Sequence, residues 1–391
     1  MKVTSRFNTD ISYFLIIAVV VSFLLSLALL QVFAGALCLL WLFEKWNEKK
    51  NAFDIFSKVF LIYLVVRLAA LVFSEFPEVS VQILYKEILF YLCFFSFSFY
   101  LKAFDIEKIK TILYYFSFAS AAIALIGIVR FNLSVVERAE SFSSGYSTFS
   151  SYLLTGLGCS LVFGENDKKI KYFYWIKIFV VSIILVGIVT SLGRANAVIA
   201  TVMLVASLLL NKIKAAQFIY IILISIALSY LSFQNNSIQV NQRIEAPTQL
   251  SDRDIIYKGA GELLFTHPLL GYGPKTFSEI FPHREDFADK GIGSWHNDLL
   301  EVYFESGFLG LAAYLLLIFS VFFYQIKFLI KQKDKMEART IIYAVLFATA
   351  GLFLSALVAG FINSPVLSLV FALLAGVQSA VIKSSGIAMR Y

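Results

Sequence analysis

The sequence contains few charged residues: Asp, Glu, Lys and Arg make up only 15% of its 391 residues, whereas hydrophobic residues make up 59%. A soluble globular chain carries roughly 25% charged residues, so this scarcity excludes an ordinary soluble domain and indicates an all-α polytopic membrane protein. Cysteine is also scarce. Cys38, Cys93 and Cys159 lie inside apolar stretches without motif spacing, which favours small membrane-embedded hydrophobes over a set of disulfides.

Internal repeats, low-complexity tracts and a separate soluble domain are absent too, so we expect residues 1–391 to form a single integral membrane domain. No pair of carboxylates and no histidine–aspartate cluster at metal-ligand spacing accompanies the candidate site residues described below. We therefore expect neither a metal nor a cofactor. The formal net charge of +7 would suit a nucleic-acid partner, but its distribution follows membrane topology, and we expect no nucleic acid to bind.

Hydrophobic runs of about 17–25 residues can span a bilayer, and the chain contains about twelve of them. The first run, Ile11 to Trp46, is too long for one helix and is predicted to form two, with a break near Leu30-Gln31. It is also too long for the apolar core of a signal peptide, so we expect the N-terminus to be retained. The remaining spans are predicted near 57–74, 84–101, 111–129, 147–164, 174–191, 194–211, 217–233, 307–326, 340–361 and 365–383.

The orientation follows from the basic residues. If the N-terminus is cytoplasmic, every even-numbered span ends in a loop rich in lysine, and most Lys and Arg residues lie on the cytoplasmic side. The sequence therefore predicts that both termini are cytoplasmic and that the number of spans is even.

One outward loop is much longer than any other connection. It runs from about Gln234 to Ser306 (234–306), between predicted spans 9 and 10, and long loops in compact proteins are usually functional. Within it, Asp252 to Phe265 has the apolar pattern of a helix, and His267 to Pro274 forms a turn rich in Pro and Gly. Ser294 or Asn297 is expected to cap a helix that carries Asp298 to Glu305 and leads into the next span.

Three polar residues are predicted at the same outer face. Arg194 lies in a tight turn between two spans, Arg253 begins the loop helix, and His296, one of only three histidines, lies near the end of the loop. An arginine at the interface can bind a phosphate or diphosphate bidentately. Histidine, with an ordinary pKa of about 6.5, can take a proton from a hydroxyl near neutral pH. These residue types suit a reaction in which a diphosphate leaves and an alcohol attacks.

At these positions the sequence resembles O-antigen ligases, the membrane enzymes that complete lipopolysaccharide. The pattern that carries the resemblance is His296-Asn297, followed after nine residues by Gly307 and after two more residues by Gly310. The turn that contains Arg194 looks like the outward Ser/Gly-Arg motif of the family.

The loop carries a second part of the resemblance. Arg253, followed by the segment Pro268 to Gly273, is similar to the loop of the wider O-antigen ligase and polymerase superfamily, and Tyr257 supplies the aromatic residue four positions after the arginine. Sequence-level similarity is confined to about 190–310, whereas the topology of the whole chain fits.

The resemblance implies a GT-C-like glycosyltransferase of the bacterial inner membrane with its active site at the periplasmic face. Its donor would be a glycan linked to undecaprenyl diphosphate, its acceptor a hydroxyl of lipid A–core, and membrane lipids would surround it. By analogy, His296 deprotonates the acceptor hydroxyl, whereas Arg194 and Arg253 bind the diphosphate. A single displacement would invert the anomeric centre without metal or nucleotide.

Simpler structural interpretations remain open for each residue. His296 can belong to an interfacial aromatic belt beside Trp295, and Arg194 can extend to lipid phosphate. Arg253 can pair with its aspartate neighbours. The supporting residues also have structural alternatives: Asn297 as a helix cap, Gly307 and Gly310 in helix packing or at a helix kink, and Arg67 in an ion pair with Glu87.

Competing functions also remain open. The related polymerase extends the glycan on its own lipid carrier, and the histidine–glycine pattern favours the ligase over it. A protein-glycosylating relative is a further possibility within the superfamily. A transporter or flippase for lipid-linked sugars belongs to a different class and predicts discontinuous spans at the midplane, internal repeats and several buried acidic residues. The predicted spans contain almost no acidic residues, and the polar residues gather at one face.

Overall fold

The computed structural model describes residues 6–23, 25–162, 172–235, 240–241, 253–287 and 293–386. These residues form helices and turns and contain no β-strand, which confirms the all-α class. The helices are α1 (Arg6–Ser22), α2 (Leu27–Leu42), α3 (Trp46–Ala52), α4 (Ile55–Val72), α5 (Pro77–Leu101), α6 (Ile106–Asn132), α7 (Tyr146–Leu161), α8 (Tyr172–Thr190), α9 (Arg194–Leu209), α10 (Ala215–Asn235), α11 (Arg253–Leu263), α12 (Phe277–Ile280), α13 (Asp298–Lys331), α14 (Met336–Ala356) and α15 (Leu367–Ser384).

Each predicted span coincides with one of these helices, but not all of the helices are long enough to cross a membrane unaided. Among the described residues, seven helices are long and apolar enough, or eight if the bent pair α2 and α3 forms one span. The apolar parts of α1, α5 and α9 are shorter than a full span. The chain is therefore polytopic, whereas the predicted count of about twelve spans is not confirmed.

The predicted break in the first apolar run is wrong in position. The run does form two helices, but α1 ends at Ser22 and α2 begins at Leu27, so Gln31 lies inside α2. The reason is local: the Ser26 hydroxyl accepts a hydrogen bond from the Leu29 amide and caps α2. A capping serine sets a helix boundary more strongly than a glutamine inside an apolar run.

Helices α7, α14 and α15 lie at the centre of the bundle, and almost every residue of α7 and α15 is buried. Helix α7 packs along α14, and α15 packs against α5. The connection between α14 and α15 (residues 357–366) is therefore held at one end of the bundle core, where it meets the described parts of the long loop.

Helix α13 is broken at Gly307. An unbroken helix would bond the amides of Phe308 and Leu309 to the carbonyls of Phe304 and Glu305. The segment Pro268 to Gly273, which follows α11, forms hydrogen bonds with all four of these groups instead. Its carbonyls accept from Phe308 and Leu309 (Pro268 O, 2.7 Å; Leu269 O, 3.3 Å), and its amides donate to Phe304 and Glu305 (Tyr272 N, 2.8 Å; Gly273 N, 3.2 Å).

Glycine is required at this contact. Gly307 has φ +65 and ψ −166, a region that is essentially restricted to glycine, and a Cβ atom there would lie 2.2 Å from the Leu269 backbone. Gly271, on the other side, has φ +68, and its Cβ would lie 2.4 Å from the Phe304 carbonyl oxygen. The interpretation of Gly307 as a residue of a helix kink is therefore confirmed. Gly310 lies in the helix after the kink, where a Cβ would collide with the Ser306 side chain (2.2 Å), so its role is close packing.

We predict that Gly307→Ala destabilises the protein strongly. Its backbone conformation alone costs about 1–3 kcal/mol for a residue with a side chain, and the collision with Leu269 adds to that cost. Gly261→Ala in α11 is the matched control, because its Cβ meets nothing within 4 Å and the change favours the helix by up to about 1 kcal/mol. Thermal unfolding in detergent should show a lower Tm for the first variant only. An equal Tm for Gly307→Ala and the wild type would contradict the assignment.

Candidate functional site

The described parts of the long loop pack around a small apolar cluster with Trp295 near its centre. Trp295 is fully buried and stacks on Phe304 of α13, with ring centroids 4.0 Å apart. The rings of Phe277 and Phe281 meet its edges at 4.9 and 5.7 Å, and Ile256 of α11 belongs to the same cluster. Trp295 is therefore a core residue of the loop rather than a member of an aromatic belt exposed to lipid.

His296 follows this anchor in an unusual backbone conformation. Its φ is +49, a region that few residues other than glycine adopt. Both neighbours are fixed: the Trp295 amide donates to the Glu301 carboxylate (3.0 Å), and the Asn297 side chain caps α13 by accepting from the Leu299 amide (2.9 Å). The interpretation of Asn297 as a helix cap is confirmed. Backbone strain of this kind is common at functional sites and marks His296 as a candidate.

Arg253 lies close enough to His296 for its positive charge to affect the pKa of the imidazole. Partial burial is the larger cause that lowers the pKa of the His296 imidazole below its ordinary value, and the positive charge of Arg253 lowers that pKa further. Within the described residues, the His296 ring has no hydrogen-bond partner. The ring is therefore held neutral at pH 7 and able to accept a proton.

Arg253 also touches the connection between α14 and α15. Its guanidinium donates a hydrogen bond to the Val358 carbonyl just after the end of α14. A guanidinium has five N–H donors, so this contact leaves donors for another partner. The contact holds the first residue of α11 against the bundle core.

Arg194 is the first residue of α9 and is exposed. The preceding residue, Gly193, provides no side-chain cap for the first turn of this helix. Two residues later, the buried Asn196 donates to Ser150 of α7 (2.7 Å) and accepts from Ser355 of α14 (2.9 Å). The turn that carries Arg194 is thereby fixed to the last turn of α14, three residues before Val358.

Asp298 connects α13 to the segment that follows α14. Its carboxylate accepts hydrogen bonds from the Phe361 amide (2.9 Å), the Ile362 amide (3.3 Å) and the Tyr314 hydroxyl (2.9 Å). The segment from Ser355 to Ile362 therefore contacts the helix of Arg194, Arg253 itself and the residue two positions after His296. The elements that carry the three residues singled out by the sequence therefore all contact one short stretch of the chain, residues 355–362.

A buried ionic network contacts α13 one to two turns after Asp298, at Glu301 and Glu305. Arg67 of α4 pairs with Glu87 of α5 (2.6 Å) and with Glu305, and it also donates to Asn363 (3.2 Å). The predicted ion pair between Arg67 and Glu87 is thus present. Asn363 in turn donates to Glu301 (3.0 Å) and Glu305 (3.3 Å). The network links Arg67 to the backbone of Trp295 through Asn363 and Glu301.

The sequence interpretation missed these acids. It expected no paired carboxylates near the site, yet Asp298, Glu301 and Glu305 are all buried. The available signal was their spacing, which puts all three on one face of a helix that begins directly after His296. Asn363 had no such signal, because it lies in a short connection between two apolar helices.

The remaining candidates lie at the edge of this arrangement. Tyr257 is 46% exposed on the surface of α11, and a supporting role for it stays a prediction. His267 and His283 each lie within 3.1 Å of a glutamate, Glu75 and Glu262 respectively. Both are loop residues, as the sequence indicated.

Comparison with known families agrees with the sequence pattern. Residues 179–315, about a third of the chain, match the family described as O-antigen ligase. The matched segment contains every candidate site residue except Arg67, and it confirms the resemblance. No curated protein matches the chain significantly. The family covers ligases and polymerases and suggests a glycosyltransferase-like enzyme, and together with the apolar helices it indicates a multi-pass membrane protein.

We predict that Arg253→Gln raises the pKa of His296, because it removes a positive charge that disfavours the imidazolium. Burial remains, so the pKa should stay below about 6.5, the ordinary value. Arg253→Lys is the matched control, since it keeps the charge and should leave the pKa nearly unchanged. NMR titration of protein labelled at its three histidines measures the effect. An identical His296 pKa in wild type and Arg253→Gln would rule out the electrostatic coupling.

Proposed function

We propose that the protein is a glycosyltransferase that joins an O-antigen glycan, carried on undecaprenyl diphosphate, to a sugar hydroxyl of lipid A–core. The observation that carries the proposal is the proximity of Arg253 to His296, whose imidazolium form its positive charge disfavours. An imidazole with a lowered pKa stands in a strained turn beside a guanidinium that keeps donors for an anion. The family match over 179–315 supports the same chemistry.

His296 is the general base in this proposal. It accepts the proton of the acceptor hydroxyl as the oxygen attacks the anomeric carbon of the donor sugar. A neutral imidazole is the form that accepts a proton, and the lowered pKa keeps it in that form at pH 7. The anchors on either side, the buried Trp295 and the Asn297 cap, support its role because a base must be held in position.

Arg194 and Arg253 stabilise the leaving diphosphate. The bond between the anomeric carbon and the diphosphate oxygen breaks as the new glycosidic bond forms, and undecaprenyl diphosphate departs with its negative charge. Both arginines can hold phosphate oxygens bidentately. Arg194 also stands at the N-terminus of α9, a helix of 16 residues, where the first-turn amides and the helix dipole favour an anion. Attack opposite the leaving group inverts the anomeric centre.

The membrane location follows from the two substrates. A polyprenyl donor and a lipid A acceptor both have apolar tails that stay in the bilayer while their polar parts meet at its surface. We assign the reaction to the periplasmic face of the inner membrane, because the loop with His296 is predicted outward by the distribution of lysines. The His296-Asn297 pattern with Gly307 and Gly310 favours the ligase over the polymerase.

We predict that His296→Ala lowers the transfer rate by about 10²–10⁴-fold, the usual contribution of a positioned base. The assay uses purified protein and an undecaprenyl-diphosphate glycan, with and without lipid A–core. His283→Ala is the matched control, because His283 lies in the same loop, where its ring contacts Phe281, Glu262 and Asp286. That variant should keep full activity.

The same assay separates the alternatives. Full activity in a correctly folded His296→Ala protein would eliminate the base assignment. Elongation of the donor glycan in the absence of lipid A–core would identify a polymerase instead. Failure of the intact wild-type protein to transfer in either format would remove the glycosyltransferase proposal and favour transport of the lipid-linked sugar.

We predict that Arg194→Gln and Arg253→Gln both weaken donor use, because each removes a charge-assisted contact to the diphosphate. Such contacts contribute about 1.5–3 kcal/mol each, so kcat/KM for the donor should fall roughly 10- to 100-fold. Arg138→Gln is the control, since the Arg138 guanidinium lies 4.0 Å from the Tyr146 ring centroid and has no place in the proposed donor site. Unchanged donor kinetics in both arginine variants would exclude a diphosphate role.

A further inference from the structure

The segment that follows α11 exposes apolar side chains in a loop that is otherwise polar. Among the described residues of the loop, Phe265 and Leu269 are the most exposed large apolar side chains, at 82% and 67%. The chain has no Asp, Glu, Lys or Arg from Leu263 to Pro274. Exposed apolar surface of this kind usually marks a contact with a partner or with a membrane, because apolar side chains are stabilised when they leave water.

Backbone hydrogen bonds fix this segment to the start of the membrane-spanning part of α13. The Leu269 carbonyl accepts from the Leu309 amide (3.3 Å), and the Pro268 carbonyl accepts from the Phe308 amide (2.7 Å). The side chains of Phe308 and Leu309 are themselves exposed, at 61% and 46%. Leu269 therefore lies at the same height along the bundle as the first exposed apolar residues of α13.

The length of the apolar part of α13 gives the depth of this level in the membrane. Helix α13 is one of the candidate spans, and it has no charged residue between Glu305 and Lys327. From Phe308 to Lys327 an α-helix rises about 30 Å, which equals the thickness of the hydrocarbon core of a bilayer. Phe308 and the neighbouring Leu269 therefore lie where the hydrocarbon core meets the headgroup layer.

Helix α4 continues the same surface on the other side of the segment. It is also a candidate span, it packs along α13, and its end on the loop side exposes Val72 and Phe73, at 71% and 70%. Directly after that end, Glu75 lies 3.1 Å from His267 of the segment. The segment is thus held between the ends of two spans, and its exposed side chains adjoin the surface that those spans present to lipid.

We propose that the segment from Leu264 to Leu269 docks on the membrane, with Phe265 and Leu269 inserted at the boundary of the leaflet on the side of the loop. The partner is the bulk phospholipid of that leaflet. No particular headgroup is required, because the segment has no Lys or Arg that would select an anionic lipid. Aromatic and aliphatic side chains on an otherwise polar element are a common means of lying in the interface.

Docking fixes the second end of α11. Arg253 holds the first end through its hydrogen bond to the Val358 carbonyl. At the other end, the Tyr303 hydroxyl of α13 donates to the Leu264 carbonyl, and the inserted Phe265 adds a contact to lipid. The bilayer thereby sets the height of α11 above the membrane. This inference concerns the position of the loop, so it does not depend on the proposed function.

Nitroxide labels on Phe265→Cys and Leu269→Cys measure the insertion in full-length protein in phospholipid nanodiscs. The native cysteines are buried and stay unlabelled. Glu285→Cys is the matched control, because Glu285 is an exposed, charged residue of the same loop. Oxygen concentrates in lipid, whereas nickel–EDDA stays in water. In EPR, oxygen should relax the labels at 265 and 269 more than nickel–EDDA does, and this order should reverse at 285.

The same spectra distinguish lipid from other partners. Stronger relaxation by nickel–EDDA than by oxygen at both 265 and 269 would place the segment in water and overturn the proposal. Low accessibility to both reagents would indicate a protein cover and overturn it as well. Dipolar broadening between labels would then identify that cover as a second copy of the chain, and its absence would identify a different protein.

Hydrogen exchange tests the effect on α11. In nanodiscs, the double variant Phe265→Ser with Leu269→Ser should exchange the amides of Arg253–Leu263 faster than the wild type, because one end of the helix loses its contact with lipid. Val135→Ser is the control, since Val135 is an exposed apolar residue (62%) on a different connection. Equal exchange in the double variant and the wild type would refute the anchoring of α11 by the membrane.

Discussion

The exchange of hydrogen bonds at Gly307 is the interaction on which the rest of the arrangement depends. Two helical bonds are given up in α13, and four bonds to the Pro268 to Gly273 segment replace them. Backbone groups near a membrane cannot be left unpaired, so the break and the segment that fills it require each other. This pairing ties α11 and the residues after it to α13, and it sets the position of the turn with His296 at the start of that helix.

Buried acids on the first turns of α13 complete the attachment. Asp298 binds the connection after α14, Glu301 binds the Trp295 amide and Glu305 binds the Lys275 amide. Isolated buried charges are costly, and here each acid receives several donors, with Arg67 balancing Glu305 and Glu87. One face of one helix therefore positions the histidine turn and the α14–α15 connection. Such an arrangement favours precise geometry over maximal stability.

Local features were predictable from the sequence, and long-range ones were not. The helix near 253–263, the Asn297 cap and the kink at Gly307 follow from patterns within a few residues. The true start of α2 depends on Ser26, a capping signal that the length of the apolar run concealed. Glu301 and Asn363 were missed because their importance comes from partners 6 to 296 residues away along the chain. The family pattern located the histidine, and only the fold shows what holds it.

Arg253 is bonded to the Val358 carbonyl, and its charge acts on His296. This position has a consequence for the order in which donor and acceptor react. While Arg253 carries an unneutralised charge, it suppresses the basicity of the imidazole. On the proposed mechanism, an arriving diphosphate neutralises that charge, and the imidazole becomes a stronger base at that moment. The donor would thus switch on the group that activates the acceptor. An enzyme built in this way discourages attack by hydroxyls, water included, until a transferable glycan is in place.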